Sequence, residues 1–322
     1  MISFVTTLTV HREKEMLAAP EAVLKEVGFN VSERCYSRPS CFDFAARKNE
    51  TLVLIKVQQD IDVLSLNDSQ ELKAISQCVS AASLLIGEKT REKPLEDDTV
   101  YSRYDVLVVT PKTFENIVLR KAHPLIQAGP GGYYVEIDYE SIKRRRQELG
   151  LSVGGMAESV GISRRTLYGY ERGMAKASVA VAYNMIWALG IPVAKPINVF
   201  EKSRLQRKCF LSTAKLAIAR SKLFRKIFGK LVRCRITTVK KAPFDFVINF
   251  PEEETKIIGG VAKHKELELN RRVDEILSFS KVVKAHPILV TEGQKPSNQE
   301  IPCIRSEEIS KIKNPEDLIC SL

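Results

Sequence analysis

Apolar and polar positions along the chain fall into three blocks. In the first, from Met1 to about Ala128, Glu21–Val27 reads as the end of a helix running into Gly28. Cys41–Ala45 and Thr51–Val57 are rich in β-branched and aromatic residues and read as strands. Gln70–Ala82 has helical spacing, with Leu72, Ile75, Val79 and Ala82 on one side. Leu84–Ile86 and Asp105–Thr110 read as short buried strands. The order helix, strand, strand, helix, strand, strand belongs to an α/β domain. Ala128-Gly-Pro-Gly-Gly132 then breaks the pattern with turn or linker residues, and a helical block begins at about Asp138.

The third block opens near Glu201 with a basic amphipathic helix. Leu223, Phe224, Ile227, Phe228, Leu231 and Val232 form one face, and Lys222, Lys226, Lys230 and Arg233 the other. Beyond it the pattern of the first block returns. Pro243-Phe-Asp-Phe-Val247 echoes Cys41-Phe-Asp-Phe-Ala45, and Lys256–Ala262 echoes Leu52–Val57. Arg271–Val283 follows Gln70–Ala82, Ile288–Thr291 follows Leu84–Gly87, and Ile301–Ile309 follows Val106–Phe114. The shared order suggests a duplicated α/β domain. The division expected is an N-terminal α/β domain (1–128), a linker (129–137), a helical domain (138–200), a basic helical segment (201–241) and a C-terminal α/β domain (242–322).

Composition narrows the partner. The net charge is +11, which favours a polyanion. Between Lys202 and Lys241 the chain carries fourteen Lys or Arg and no Asp or Glu. That stretch would strengthen phosphate contact without adding specificity, or else keep a solvated basic face while its apolar side packs on the last domain; a membrane-surface helix is the weaker alternative. No apolar run reaches the roughly 18 residues of a membrane span, and Met1–Glu15 is not a secretory signal. The seven cysteines include no C-x-x-C pair and read as small thiols in a reducing cytoplasm. The four histidines lack metal spacing, and Trp187 and the phenylalanines read as core.

The densest local signal is Leu149–Gly173. Ala157 is small where a second helix crosses, and Gly161 supplies the positive φ that ends the first helix. Ile162 fills the angle between the two, and Ser163 can cap the helix that follows. Leu167 and Tyr170 lie three apart and face the core together. Ser178 can cap the next helix, whose apolar face includes Val181, Met185, Ile186 and Leu189 before Gly190.

This stretch resembles the lambda-repressor/Cro type of helix-turn-helix, the xenobiotic-response-element family, over about Tyr139–Gly190. With its long flanks the chain looks like a group of archaeal transcriptional regulators that carry such a domain centrally. The resemblance implies a five-helix domain and a recognition helix at about Arg164–Arg172, entering the major groove of double-stranded DNA. It puts Arg164, Arg165 and Thr166 at base edges, Tyr168 at a base methyl or phosphate, and Ser163 at a phosphate. Arg144 and Arg145 would contact the backbone, and Arg146 with Glu171 would form a structural ion pair. A cytoplasmic homodimer that acts on the transcription machinery is the expected form. The sequence departs from the family at Val153-Gly-Gly155, where the usual Gln and capping-box Glu are missing, and at Gly169. The alternative is a protein-bridging helical scaffold, on which Arg164 and Arg165 are only a solvated face.

The outer blocks resemble the restriction-endonuclease-like fold, whose nucleases hold a divalent metal with an Asp on one strand and an acid-x-Lys on the next. Asp43 and Lys56 stand at two of those positions, but Leu54 stands at the acid. Asp245 in the second copy is followed by Gly-Gly-Val-Ala-Lys263, again without an acid paired to a lysine. One carboxylate holds Mg²⁺ poorly, so an inactive fold kept for contact or sensing is expected rather than an enzyme, with no cofactor and no metal. A nuclease with a rearranged site around Asp43 and Lys56 is the remaining enzymatic alternative.

Overall fold

A computed structural model describes residues 19–91, 93–201, 235–250, 255–262, 266–291, 293 and 295–305. The basic helix expected around 222–233 lies outside them. The first α/β unit runs α1 (Pro20–Glu26), β1 (Asn30–Val31), β2 (Phe44–Lys48), β3 (Thr51–Val57), α2 (Leu66–Val79) and β4 (Ala82–Ile86). A small hairpin of β5 (Lys89–Thr90) and β6 (Lys93–Pro94) leads to β7 (Thr99–Arg103), β8 (Val106–Val109) and α3 (Pro111–Arg120). Thr51–Val57 is a strand as its composition predicts. Ala82, placed in the helix by periodicity, instead opens β4, because Ser80 turns left-handed (φ 58°) and ends α2.

The expected linker is a second hairpin. β9 (Ile126–Gly129) and β10 (Gly132–Val135) pair antiparallel around Pro130-Gly131, and Gly131 takes the positive φ (82°) of the turn. β9 also pairs with β7, and β10 with β11 (Ala177–Ser178). One nine-stranded sheet, in the order β1-β2-β3-β4-β8-β7-β9-β10-β11, therefore runs from the α/β unit into the helical one. Among the described residues the helical unit holds four helices rather than five: α4 (Tyr139–Glu148), α5 (Val153–Val160), α6 (Arg164–Tyr170) and α7 (Val179–Leu189). After α7 the chain returns to the first unit, where Phe200 meets Phe29 and Phe114 at ring distances of 6.4 and 6.5 Å.

The last unit holds β12 (Arg235–Thr238), β13 (Phe246–Phe250), β14 (Thr255–Ala262), α8 (Leu269–Val283), β15 (His286–Thr291) and β16 (Cys303–Arg305). Its sheet, β12-β13-β14-β15-β16, repeats β1-β2-β3-β4-β8 in order and direction. Two antiparallel pairings are followed by two parallel ones in each.

The two α/β units do not stand apart on either side of the helical one. They share a core in which Phe42, Leu54 and Leu72 of the first meet Phe244, Ile276 and Phe279 of the second. Their contacts are reciprocal. Glu71 on α2 accepts from the amides of Lys240 and Lys241 (3.1 and 2.8 Å), and Glu275 on α8 accepts from those of Tyr36 and Ser37 (2.7 and 2.8 Å). Arg47 donates to the Val282 carbonyl at the end of α8, and Asn249 to the Cys78 carbonyl at the end of α2. Such exchange is the mark of an isologous interface, here formed within one chain. On the other face of the first sheet, α1 and α3 cover Phe44, Ile55, Leu84 and Val109.

Candidate nucleic-acid interface

Each helix of the central unit is started by a side chain. Asp138 accepts from the amide of Ser141, Ser152 from Gly155, Ser163 from Thr166 and Ser178 from Val181. These caps satisfy amides that a helix leaves open at its first turn. α5 forms although Val153-Gly-Gly155 has no capping-box acid. Gly161 then turns left-handed (φ 78°) and ends α5, which sets the angle to α6. Ala157, Met156 and Val160 pack against Leu167 and Tyr170 in one small core, with Ile162 half-buried beside them.

Arg146 and Glu171 lock this arrangement from α4. The guanidinium binds the carboxylate with two hydrogen bonds, 2.5 and 3.0 Å, and a third reaches the Leu151 carbonyl at 2.8 Å. Both residues are buried, so the pair fixes geometry rather than binding a partner.

The outer face of α6 carries what remains. Arg164, Arg165 and Tyr168 are exposed, Thr166 is half-buried, and the Arg172 guanidinium stacks 4.3 Å over the Tyr168 ring. Gly154 on α5 leaves room for Arg164: a Cβ there would stand 2.9 Å from its Nε. Ser163 spends its oxygen on the cap and contacts the Thr166 hydroxyl at 2.8 Å. Arg144 is exposed, with Glu148 at 4.0 Å. Arg145 is placed differently: its Nε bonds the Leu189 carbonyl at 3.1 Å and its Nη1 Glu148 at 3.1 Å, so it also closes the end of α7.

Two residues assigned to the core lie outside it. Trp187 is 74% exposed and Ile186 40%. α7 buries Ala182, Met185 and Leu189 on its inner side and, apart from Asn184, is apolar outside as well.

The candidate metal site does not fit a divalent cation. Asp43 bonds Lys56 (2.9 Å) with one oxygen and the Val57 amide (2.7 Å) with the other, while Leu54 is fully buried where a second acid is needed. In the second unit Asp245 accepts from the Val261 amide at 2.6 Å, and its carboxylate is held by Arg38 and by the fully buried Arg272. Arg272 also bonds Glu266 at 3.0 Å. A guanidinium thus neutralises the acids of the second copy. Among the described residues no group of three His, Cys, Asp or Glu stands close enough to share a metal ion, and no helix is long and apolar enough to cross a membrane.

Residues 13–124 match the PD-(D/E)XK superfamily domain and residues 142–195 the helix-turn-helix family. Whole-chain relatives come from archaea. One from Methanosarcina barkeri is 31% identical over 308 residues (92% of each chain), and one from Methanocella arvoryzae 32% over 304 residues (92% of each). One from Pyrococcus furiosus is 28% identical over 310 residues, covering 95% of this chain and 96% of its own. All three are provisionally named HTH-type transcriptional regulatory proteins. No solved structure matches significantly. With a helix-turn-helix built from these residues and relatives that share nearly the whole chain, this protein belongs to that archaeal family of HTH-type transcriptional regulatory proteins.

Proposed function

We propose that the protein regulates transcription by binding double-stranded DNA sequence-specifically, with α6 in the major groove. The observation that carries this reading is the division of labour on α6. Leu167 and Tyr170 anchor the helix, and Arg164 and Arg165 project from its first turn into solvent. Arginine at that turn can chelate guanine O6 and N7. Occupancy of an operator would then block or recruit the transcription machinery. A protein-bridging role would be favoured by burial of the two arginines, and both are exposed. Binding of genomic fragments by wild type and by Arg164→Ala/Arg165→Ala tests the reading. Selection of particular fragments by wild type alone is expected; equal selection by both would sink it.

The α/β body, in this reading, is not a nuclease. The Asp43–Lys56 pair lies beside the core shared by the two units, and its cation is supplied by the protein. Plasmid and branched DNA should survive incubation with Mg²⁺ or Mn²⁺. Cleavage that Asp43→Asn abolishes would reverse that conclusion.

A further inference from the structure

The two α/β units can be compared position by position, and at one place they differ in charge. Glu71 on α2 and Glu275 on α8 are counterparts, so Lys73 corresponds to Leu277 and Ser76 to Ser280. On the neighbouring strands Val108 faces Leu85 as Cys303 faces Leu289, which makes Glu300 the counterpart of Asp105. In the first unit an ion pair is made here. Lys73 is buried, and its Nζ donates to the Tyr104 carbonyl at 2.8 Å and lies 3.3 Å from the Asp105 carboxylate. In the second unit the acid is kept and the ammonium is missing, because Leu277 stands in its place. An open cleft of about 450 Å³ lies there, between α8, the start of β15 and the loop that precedes β16.

We propose that this cleft binds a small aliphatic amine, whose ammonium group takes the place that the Lys73 side chain fills in the first unit. The charge of the cleft selects a cation: Glu33, Asp274 and Glu300 line it against Lys281 alone, on a chain whose net charge is +11. None of these four side chains has an ion pair among the described residues. The acids are nonetheless held in place. Asn298 donates to Asp274 at 3.0 Å and accepts from the Glu300 amide at 2.9 Å, and the Glu33 amide donates to Ser278 Oγ at 2.8 Å. Ser280, 1% exposed, lines the cleft with a hydroxyl that has no partner among the described residues, as Ser76 does one turn along α2 from Lys73. Leu277, Ala285 and Pro287 offer apolar surface for an alkyl chain. Apolar walls with a few convergent polar groups, in a volume of roughly 300–1,000 Å³, are what small-ligand sites share. An aliphatic amine stays protonated at neutral pH, as lysine does. Because Glu33 belongs to the first unit and the other acids to the second, a bound amine would brace the junction of the two. The site does not rest on the DNA-binding reading.

Isothermal titration calorimetry of the full chain, without DNA, tests this with putrescine and spermidine as probes. Butanol serves as the uncharged control and potassium chloride as the inorganic one. Saturable binding of at least one amine is expected, with a Kd of about 1 mM or tighter, together with a melting temperature that rises with amine concentration. Asp274→Asn/Glu300→Gln should weaken binding about tenfold or more and leave the melting temperature of the free protein unchanged, because both side chains are exposed. Leu277→Lys supplies from within the ammonium that the first unit has at Lys73, and should abolish amine binding. Four outcomes overturn the proposal. The first is no saturable heat with either amine up to about 10 mM, ten times the weakest expected Kd. The second is an affinity that the double substitution leaves unaltered. The third is wild-type affinity in Leu277→Lys. The fourth is an equal response to potassium chloride at the same ionic strength, which would reduce the effect to charge screening.

Discussion

Arg146 and Glu171 are 25 residues apart in sequence and face to face in the fold, with side chains 10% and 6% exposed. Removing one partner leaves the other charged and buried, which costs about 3–5 kcal/mol. Glu171→Ala is therefore expected to lower the melting temperature of the helical unit strongly, and thermal unfolding followed by circular dichroism measures it. Arg164→Ala and Arg165→Ala should leave that temperature unchanged, because both side chains are exposed. At Cys35 and Cys41 burial pushes both thiols well above the ordinary range and shields them, so they should resist alkylation in the native protein; the Cys303 thiol is raised by desolvation as well, but it is exposed and should react. Asp68 is a third case. Burial raises its pKa, but hydrogen bonds from Lys241 and Ser65 outweigh that and hold it below the usual value. A depressed carboxyl contributes stability above its unfolded pKa of about 3.9 and loses it as pH falls through the folded value. Asp68→Asn should flatten the acid limb of the stability curve, measured by urea unfolding between pH 5 and pH 2, and an unchanged limb would mean that the Asp68–Lys241 contact adds nothing to stability.

At the scale of elements, glycines in α5 separate folding from binding. A methyl added at Gly155 would meet only Ser152 Oγ, at 3.4 Å, so Gly155→Ala should stabilise α5 by up to about 1 kcal/mol. Gly154→Ala adds the same helix propensity but also displaces the Arg164 guanidinium, so it alone of the two should change DNA affinity. The helix-turn-helix is legible in the sequence because its geometry needs particular residues at fixed places: Ser163 and Ser178 as caps, Ala157 at the crossing, Gly161 at the turn; the Ser152 cap of α5 is seen only in the structure. α7 is less legible. Val179–Leu189 is apolar except for Asn184, so helical periodicity barely distinguishes its inner side, and Trp187 falls outside for that reason. Ala128–Gly132 carries the same turn residues whether it links domains or tips a hairpin, and four-residue strands on either side leave little alternation to read.

For the whole molecule, the repeat of strands and helices is visible in the sequence, beginning with Phe-Asp-Phe, but the way the units meet is not. Glu275 and the amides it caps are separated by 238 and 239 residues, and no local pattern spans that distance. The absence of a second acid is legible at once, since Leu54 stands in its place. The arginine that answers Asp245 is not, because α8 brings it from 27 residues away. Because Phe42, Phe244 and Phe279 form one cluster between the units, both units should unfold in a single transition. Phe42→Ala should destabilise them together by about 3–5 kcal/mol. Two separate denaturant transitions in wild type would contradict the shared core.

Recognition by α6 is tested by the salt dependence of binding to a genomic fragment selected by the wild-type protein, compared with Arg164→Ala/Arg165→Ala. Phosphate contacts release counterions and set the slope, whereas base contacts set the gap between the selected fragment and random DNA of equal length. The double substitution is expected to close that gap and leave a salt-dependent, unselective residue of binding. A gap that survives the substitution would contradict recognition by α6.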